Sequence, residues 1–283
     1  MAQLSIQAAL ATAQTLGLAR LDAQLLLLHS LGKPETDRAW LLTHDGDALP
    51  DQAAQMFRGL SLRRAAGEPL AYIVGYKEFF GLRFNVDSAV LIPRPDTETL
   101  VQWSMDLLAG LDSPRVLDLG TGSGAVAVSL AHQLNICVDA TDLSEKALSV
   151  ARKNAQQLGV TVQFLQSNWL DKVSGHYHLI ASNPPYIADA DPHLAALAHE
   201  PLDALTAGSD GLEDIRQIVQ FAPDHLHPGG WLLLEHGYDQ ASVARELLAQ
   251  RGFTQVQSQM DLAGIARCSG GQWPGQNSGI IGN

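Results

Sequence analysis

The sequence predicts an α/β protein with a doubly wound, mostly parallel sheet of seven strands, preceded by a small helical bundle and a β-hairpin linker. Three observations carry this. From Arg115 onward, short apolar runs alternate with helix-period segments. A glycine-rich turn, Asp118-Leu-Gly120-Thr-Gly122-Ser-Gly124, follows the first of those runs. The opening 70 residues show helical spacing and no strand pattern. The expected divisions are a helical domain at 1–70, a hairpin linker at 71–95 and an α/β domain at 96–283.

In order, Leu4, Ile6, Ala8, Leu10, Ala11, Ala13 and Thr15 predict a first helix stopped by Gly17. A second runs from Ala19 to Leu31, with Leu21, Leu25 and Leu28 on its apolar face and Gly32-Lys33-Pro34 closing it. Thr36 or Asp37 can cap a short third helix through Trp40. Asp51 to Ala66 forms a fourth, whose Arg58, Arg63 and Arg64 read as a solvated face. Tyr72-Ile-Val, Glu78-Phe-Phe and Leu82 to Val86 are strand-like runs punctuated by Gly75 and Gly81. Pro93 and Pro95 then hold an extended approach to a helix capped by Asp96. The seven strands are expected at Val116–Leu119, Ile136–Ala140, Val160–Leu165, Tyr177–Ala181, Trp231–Glu235, Thr254–Ser258 and Ile265–Cys268. The short link between the last two implies an antiparallel edge, and the tail from Gly270 reads as loose.

Hydrophobic residues are 46 % and charged residues 17 %, a composition with ample core material. A net charge of −12 argues against bulk attraction of nucleic acid, which favours a basic face. Cys137 and Cys268 lie far apart in apolar stretches, so they read as buried free thiols in a reducing compartment. With no basic start ahead of an apolar run and no long apolar span, the expectation is a cytoplasmic protein away from membranes.

The glycine stretch sits between a strand and a helix, where glycine lets backbone approach a ligand and a helix N-terminus offers free N–H groups. Gly120, Thr121, Gly122, Ser123 and Gly124 are therefore candidate cofactor contacts. Asp142, about twenty positions later, is placed to accept ribose hydroxyls. Asn168 and Trp169 follow the third strand; an amide there can meet an adenine edge and an indole can cover it. The Gly-x-Gly-x-Gly spacing departs from the dinucleotide pattern, which counts against a dehydrogenase.

Asn183-Pro184-Pro185-Tyr186 follows the apolar strand ending at Ser182, at the carboxyl end of the sheet where such folds bind ligands. The Asn183 side-chain carbonyl and the Pro184 main-chain carbonyl can accept both hydrogens of a planar NH₂ group. The prolines hold that backbone rigid, and Tyr186 offers a flat face. An amide nitrogen is a poor nucleophile, and acceptors at both its hydrogens concentrate electron density on it. Asn183, Pro184 and Tyr186 are the catalytic candidates; Pro185 and Arg94 join them as substrate contacts, and Asn183 also borders the cofactor. The pairs His176/His178 and His225/His227 lack a third ligand nearby, so no metal is expected; His225 and His227 are assigned to a helix C-terminus.

These residues resemble the protein-(glutamine-N5) methyltransferases that modify peptide chain release factors. The resemblance spans nearly the whole chain: Glu68-Pro69 to Gly75, Phe79-Phe80-Gly81, Leu91-Ile-Pro-Arg-Pro-Asp-Thr-Glu98, Asp118 to Gly124, Asn183 to Ile187, Glu200-Pro201 and Leu234-Glu235-His-Gly237. It implies a class I S-adenosylmethionine-dependent methyltransferase fold and transfer of methyl to the glutamine of a Gly-Gly-Gln motif in a release factor. It also implies a helical domain that helps hold the release factor. The chain is expected to act as a monomer without direct nucleic-acid contact. Glutamine methylation of a ribosomal protein and, further off, adenine-N6 methylation after base flipping share the Asn-Pro-Pro-Tyr element. Two departures stand out: Asn168 occupies a place usually held by Asp, and Gly264-Ile-Ala-Arg267 replaces a more polar run. The tail also contains Gly270-Gly271-Gln272, the substrate tripeptide itself, which composition alone explains.

Overall fold

The computed structural model describes residues 4–275. The chain divides into two compact units, the first ending at Tyr76 and the second beginning at Lys77.

The first unit holds five helices: α1 (Ile6–Thr15), α2 (Arg20–Ser30), α3 (Arg38–Thr43), α4 (Asp51–Ala65) and α5 (Leu70–Val74). Ser5 caps α1 by accepting from Ala8 N at 3.2 Å. The core packs Ile6, Leu26, Leu27, Leu41 and Phe57. In α2 the buried face is Ala23, Leu26, Leu27 and Leu28, while Leu21 is exposed. Four consecutive leucines allow two readings of the period, and packing against neighbouring helices selects the other face. Of the arginines read as a solvated face, Arg58 and Arg63 are exposed, Arg63 pairing with Glu68 at 2.5 Å, while Arg64 is half-buried and pairs with Asp22 at 2.7 Å. Tyr72-Ile-Val is helical, not a strand. Pro69 precedes the turn and Gly75 ends it at φ +83°, so a short helix outweighs the β-branched pair.

β1 (Tyr76–Phe79), all but its first residue in the second unit, and β2 (Leu82–Asn85) form the hairpin. Phe79 and Phe84 bury into the main core, ring centroids 6.0 Å apart and edge-on. A 3₁₀ turn at Pro95–Thr97 leads into α6 (Glu98–Leu108). Asp96 does not cap α6; its carboxylate faces Arg267 at 3.2 Å.

Then come β3 (Val116–Leu119), α7 (Ala125–Leu134), β4 (Val138–Asp142), α8 (Glu145–Leu158), β5 (Val162–Gln166) and β6 (Tyr177–Ser182). They are followed by α9 (Glu213–Phe221), β7 (Leu226–Glu235), α10 (Ala241–Arg251), β8 (Thr254–Met260) and β9 (Ala266–Gln272). The sheet order is β5-β4-β3-β6-β7-β9-β8, parallel except for β9. The antiparallel strand is therefore not the edge itself: β9 inserts between β7 and β8, and β8 takes the edge.

One expectation fails on β9. The strand runs four residues past Cys268, so Gly270-Gly271-Gln272 lies inside the ladder rather than in a loose tail. A Cβ on Gly270 would sit 2.4 Å from Leu233 Cδ2, and one on Gly271 would sit 2.8 Å from Phe253 Cβ, so close packing requires both glycines. The remainder of that expected tail, 276–283, lies outside the described residues. Cys268 is buried, but Cys137 is exposed because it stands just before β4 begins.

Candidate active site

The strand order turns in opposite directions from β3: the chain moves outward through β4 and β5, then returns to place β6 on the other flank. That is a topological switch point, where open α/β sheets leave a crevice beyond the strand ends. Register fixes what meets there. Leu119 pairs with Ser182 and with Thr141, so Gly120, Asn183 and Asp142 leave three adjacent strands at one level. Ser182 also pairs with Leu234, which puts Glu235 beside Asn183.

A cavity of about 760 Å³ opens at this level. Its wall includes Gly120, Thr121, Gly122, Ser123, Asp142, Asn168, Trp169, Asn183, Pro185 and Arg94. Gly124, Pro184 and Tyr186 are not part of that wall. Gly124 starts α7 at φ +83°, and a Cβ there would press on Val128 and Ala151 at 3.1 and 3.2 Å; close helix packing accounts for it.

The glycine loop is held from below by Asp118, a residue that sequence reading left without a role. Its Oδ2 accepts from Thr121 Oγ1 at 2.6 Å and from Ala127 N at 3.1 Å. Burial pushes this carboxyl up to about 7 against those two hydrogen bonds. Asp142 accepts from Gly122 N and Ser144 N, each at 2.8 Å, and burial raises its pKa as well. Each oxygen of Asp142 keeps lone-pair capacity toward the cavity. Asn154, buried in α8, donates to Ser123 O at 2.8 Å and to Asn85 O at 3.0 Å, tying the loop to the hairpin.

Trp169 stands at φ +42° and donates from Nε1 to Asp214 Oδ1 at 3.2 Å, which fixes its ring plane. A Cβ on Gly120 would come within 3.0 Å of that ring. Asn168 is exposed and donates to Asp171 at 3.3 Å.

On the opposite wall Asn183 donates from Nδ2 to Thr97 Oγ1 at 3.2 Å, and its Oδ1 is buried without a hydrogen-bond partner. Burial, then the Glu235 carboxylate, pushes the Tyr186 phenol up to about 12. Arg94 pairs with Glu200 at 2.5 Å, and Glu200 also accepts from Ile92 N at 3.1 Å, so the Pro93–Pro95 segment is pinned as a wall.

A nucleoside carrying a sulfonium fits this chemistry. The loop offers open space over Gly122, Asp142 presents a carboxylate, Trp169 a flat apolar face, and Asn183 an orphaned acceptor. His176, His178 and His227 lie ring against ring, 5.6 and 4.7 Å from His227, and no metal-holding group of three occurs among the described residues. His225 ends a 3₁₀ turn, whereas His227 lies on β7 rather than at a helix terminus. No helix among the described residues is long and apolar enough to cross a membrane.

Residues 2–75 match the PrmC N-terminal domain and residues 97–257 the methyltransferase small domain. A release factor glutamine methyltransferase from Bordetella pertussis is 50 % identical over 260 residues, covering 90 % of this chain and 95 % of the relative. One from Burkholderia pseudomallei is 48 % identical over 266 residues, covering 90 % and 92 %. Among solved structures, a methyltransferase from Pyrococcus furiosus shares the fold with a TM-score of 0.52 at 22 % identity, over 69 % of this chain and 90 % of its own. With two domain models spanning most of its length and relatives 50 % and 48 % identical over 90 % of it, the chain belongs to the release factor glutamine methyltransferase family.

Proposed function

We propose that this chain transfers a methyl group from S-adenosylmethionine to the side-chain amide nitrogen, N5, of the glutamine in the Gly-Gly-Gln motif of a bacterial release factor, and that Asn183 to Tyr186 grip that amide. The observation that carries the reading is the register of β3 and β6, which sets Gly120 and Asn183 on one cavity. When bound, S-adenosylmethionine supplies an electrophilic methyl carbon on a sulfonium sulfur. The chain's own residues do the rest. Asn183 Oδ1 and the Pro184 carbonyl accept the two hydrogens of the substrate NH₂. This orients the nitrogen and holds electron density on it through both N–H bonds. As the N–C bond forms, the sulfonium C–S bond breaks to leave the neutral sulfide, and one of the two amide protons is lost to bulk water. Asp142 accepts from ribose hydroxyls, and Trp169 with the loop Gly120–Ser123 closes the opposite wall. Pro185 and Tyr186 exclude water beside the amide.

Arg94 supports the substrate wall through Glu200. The helical unit contributes to holding the release factor, and the protein acts in the cytoplasm as a monomer. The acidic net charge of −12 supports a protein substrate over nucleic acid.

Mass spectrometry of a purified release factor, after incubation with the chain and S-adenosylmethionine, tests the reaction. One added methyl group on the Gly-Gly-Gln glutamine is expected. Modification of ribosomal particles instead would overturn the substrate. Asn183→Ala is expected to abolish turnover while leaving donor affinity within about threefold.

A further inference from the structure

We infer that residues 188–204 form a lip on which the release factor docks beside its glutamine, and that Glu200 is the positioning residue that latches this lip in place. The inference rests on the reading that Asn183 to Tyr186 hold the substrate amide.

After β6 and the Asn-Pro-Pro-Tyr loop, the next α-helix or strand is α9. The chain between them is pinched at its base. Ile187 N donates to Leu205 O at 2.9 Å, Ala207 N to Ile187 O at 3.0 Å and Asp189 N to Gly208 O at 3.0 Å. Residues 188–204 are thereby an excursion whose ends are held together. It carries two 3₁₀ turns, Pro192–Leu197 and Leu202–Ala204. Long surface loops with closed ends commonly serve binding.

The excursion has no core of its own. Neither 3₁₀ turn has a buried residue, and Leu202 is 59 % exposed. Across 188–204 only Glu200 is buried. Both partners of its carboxylate lie far back in the chain, 108 and 106 positions earlier: Oε2 accepts from Ile92 N at 3.1 Å and Oε1 from Arg94 Nη2 at 2.5 Å. A buried carboxylate stripped of such partners is costly. The latch, rather than apolar burial, therefore sets where the excursion sits.

The latch places surface that substrate must pass. Pro201, Asp203 and Ala204, just after Glu200, line the same cavity as Asn183, and Pro93 and Arg94 line it from the facing segment. A protein whose glutamine reaches Asn183 meets this lip on the way. The donor groups stand elsewhere, Asp142 at the end of β4 and Trp169 after β5. An unlatched lip therefore costs substrate affinity and spares the donor.

The test combines steady-state methylation of a release factor, donor calorimetry and hydrogen exchange on Glu200→Gln, Arg94→Gln and the double variant. Glu200→Gln keeps an amide oxygen that can accept from Ile92 N, so it removes the ion pair with least disturbance. Its KM for the release factor is expected to rise about 5–20-fold, with kcat within about threefold and donor Kd within about twofold. Amide exchange is expected to quicken in 88–94 and 188–204 together and to keep the parent's rate in β3 and β6. The double variant is expected to have a KM within about twofold of Arg94→Gln alone, since the second change finds the latch already open. KM effects that multiply in the double variant, or a Glu200→Gln with the parent's KM, would overturn the latch alone while the parent still methylates the glutamine. Exchange that quickens across the whole second unit, with donor binding lost, would also overturn it, by making Glu200 a general support of the fold. A parent that leaves the release-factor glutamine unmodified would overturn the latch together with the reading on which it rests.

Discussion

Gln240 donates from its side-chain amide to the main-chain carbonyl of Tyr186 at 3.0 Å. The same nitrogen donates to Gly211 O at 3.2 Å, and the amide oxygen accepts from Gly237 N at 2.8 Å. One side chain at the start of α10 therefore straps the Asn-Pro-Pro-Tyr loop to the turn after β7. The strap needs Gly211, since a Cβ there would lie 2.3 Å from Tyr186 O. Gln240→Ala is expected to lower kcat about tenfold through loop misplacement while leaving donor affinity unchanged. Single-turnover rates and calorimetry on the same preparation check both halves.

Gly120 has φ +69°, and a Cβ there would meet Trp169 Cζ3 at 3.0 Å. Gly120→Ala combines left-handed strain of about 1–2 kcal/mol with displacement of the indole. Donor affinity is expected to fall at least about tenfold. Calorimetric titration with S-adenosylmethionine reads this directly; an unchanged Kd would remove Trp169 from the donor wall.

Burial raises the carboxyls of Asp118 and Glu235, each to about 7. Unfolded, each returns to the ordinary carboxylate range near 4. Between those values the folded chain holds protons that the unfolded chain has released, so these two groups favour folding at low pH. Their contribution is lost as pH rises through about 7. The unfolding midpoint is expected to decline less steeply between pH 5 and pH 8 in Glu235→Gln than in the parent, as followed by scanning calorimetry.

Gly270 lies against Leu233, Leu232 O and Trp103, with a built Cβ at 2.4, 2.7 and 2.9 Å. Two of these neighbours are core side chains and one is backbone, so none can yield cheaply. Gly270→Ala is expected to destabilise the protein by about 1–3 kcal/mol. Chemical denaturation measures the loss, and donor affinity of the folded fraction should stay within about twofold.

Much of the site was legible because its parts announce themselves locally. A glycine run after an apolar strand, an acid at the end of the next strand and a proline-locked Asn-Pro-Pro-Tyr each carry their own chemistry. The alternation of elements brings them to one level of the sheet. Gln240 and Asn154 left no such trace. Each acts through hydrogen bonds to residues 54 and 69 positions away, and nothing in the neighbouring sequence marks an amide that will close so distant a contact. Thr97 was masked by Asp96, which looks the better helix cap until the 3₁₀ turn carries it toward Arg267. The placement of β9 between β7 and β8 was hidden for a similar reason. A short connection fixes which strands are antiparallel, not which of them faces the rest of the sheet.

The β9 ladder also bears on what a release-factor methyltransferase reads. Gln272 ends a Gly-Gly-Gln identical in sequence to the proposed substrate motif, yet its amide nitrogen already donates to Gly229 O at 2.9 Å and its oxygen accepts from Gln255 at 2.5 Å. The same three letters thus occur in every copy of the chain in a form whose nitrogen is engaged and whose backbone is zipped between two strands. Gln272 thus differs from a Gly-Gly-Gln in a loop by its conformation, its backbone paired with Trp231 and Thr254. Peptide mapping after prolonged incubation with donor should find Gln272 unmethylated while an added release factor is modified to completion, making the chain its own internal standard.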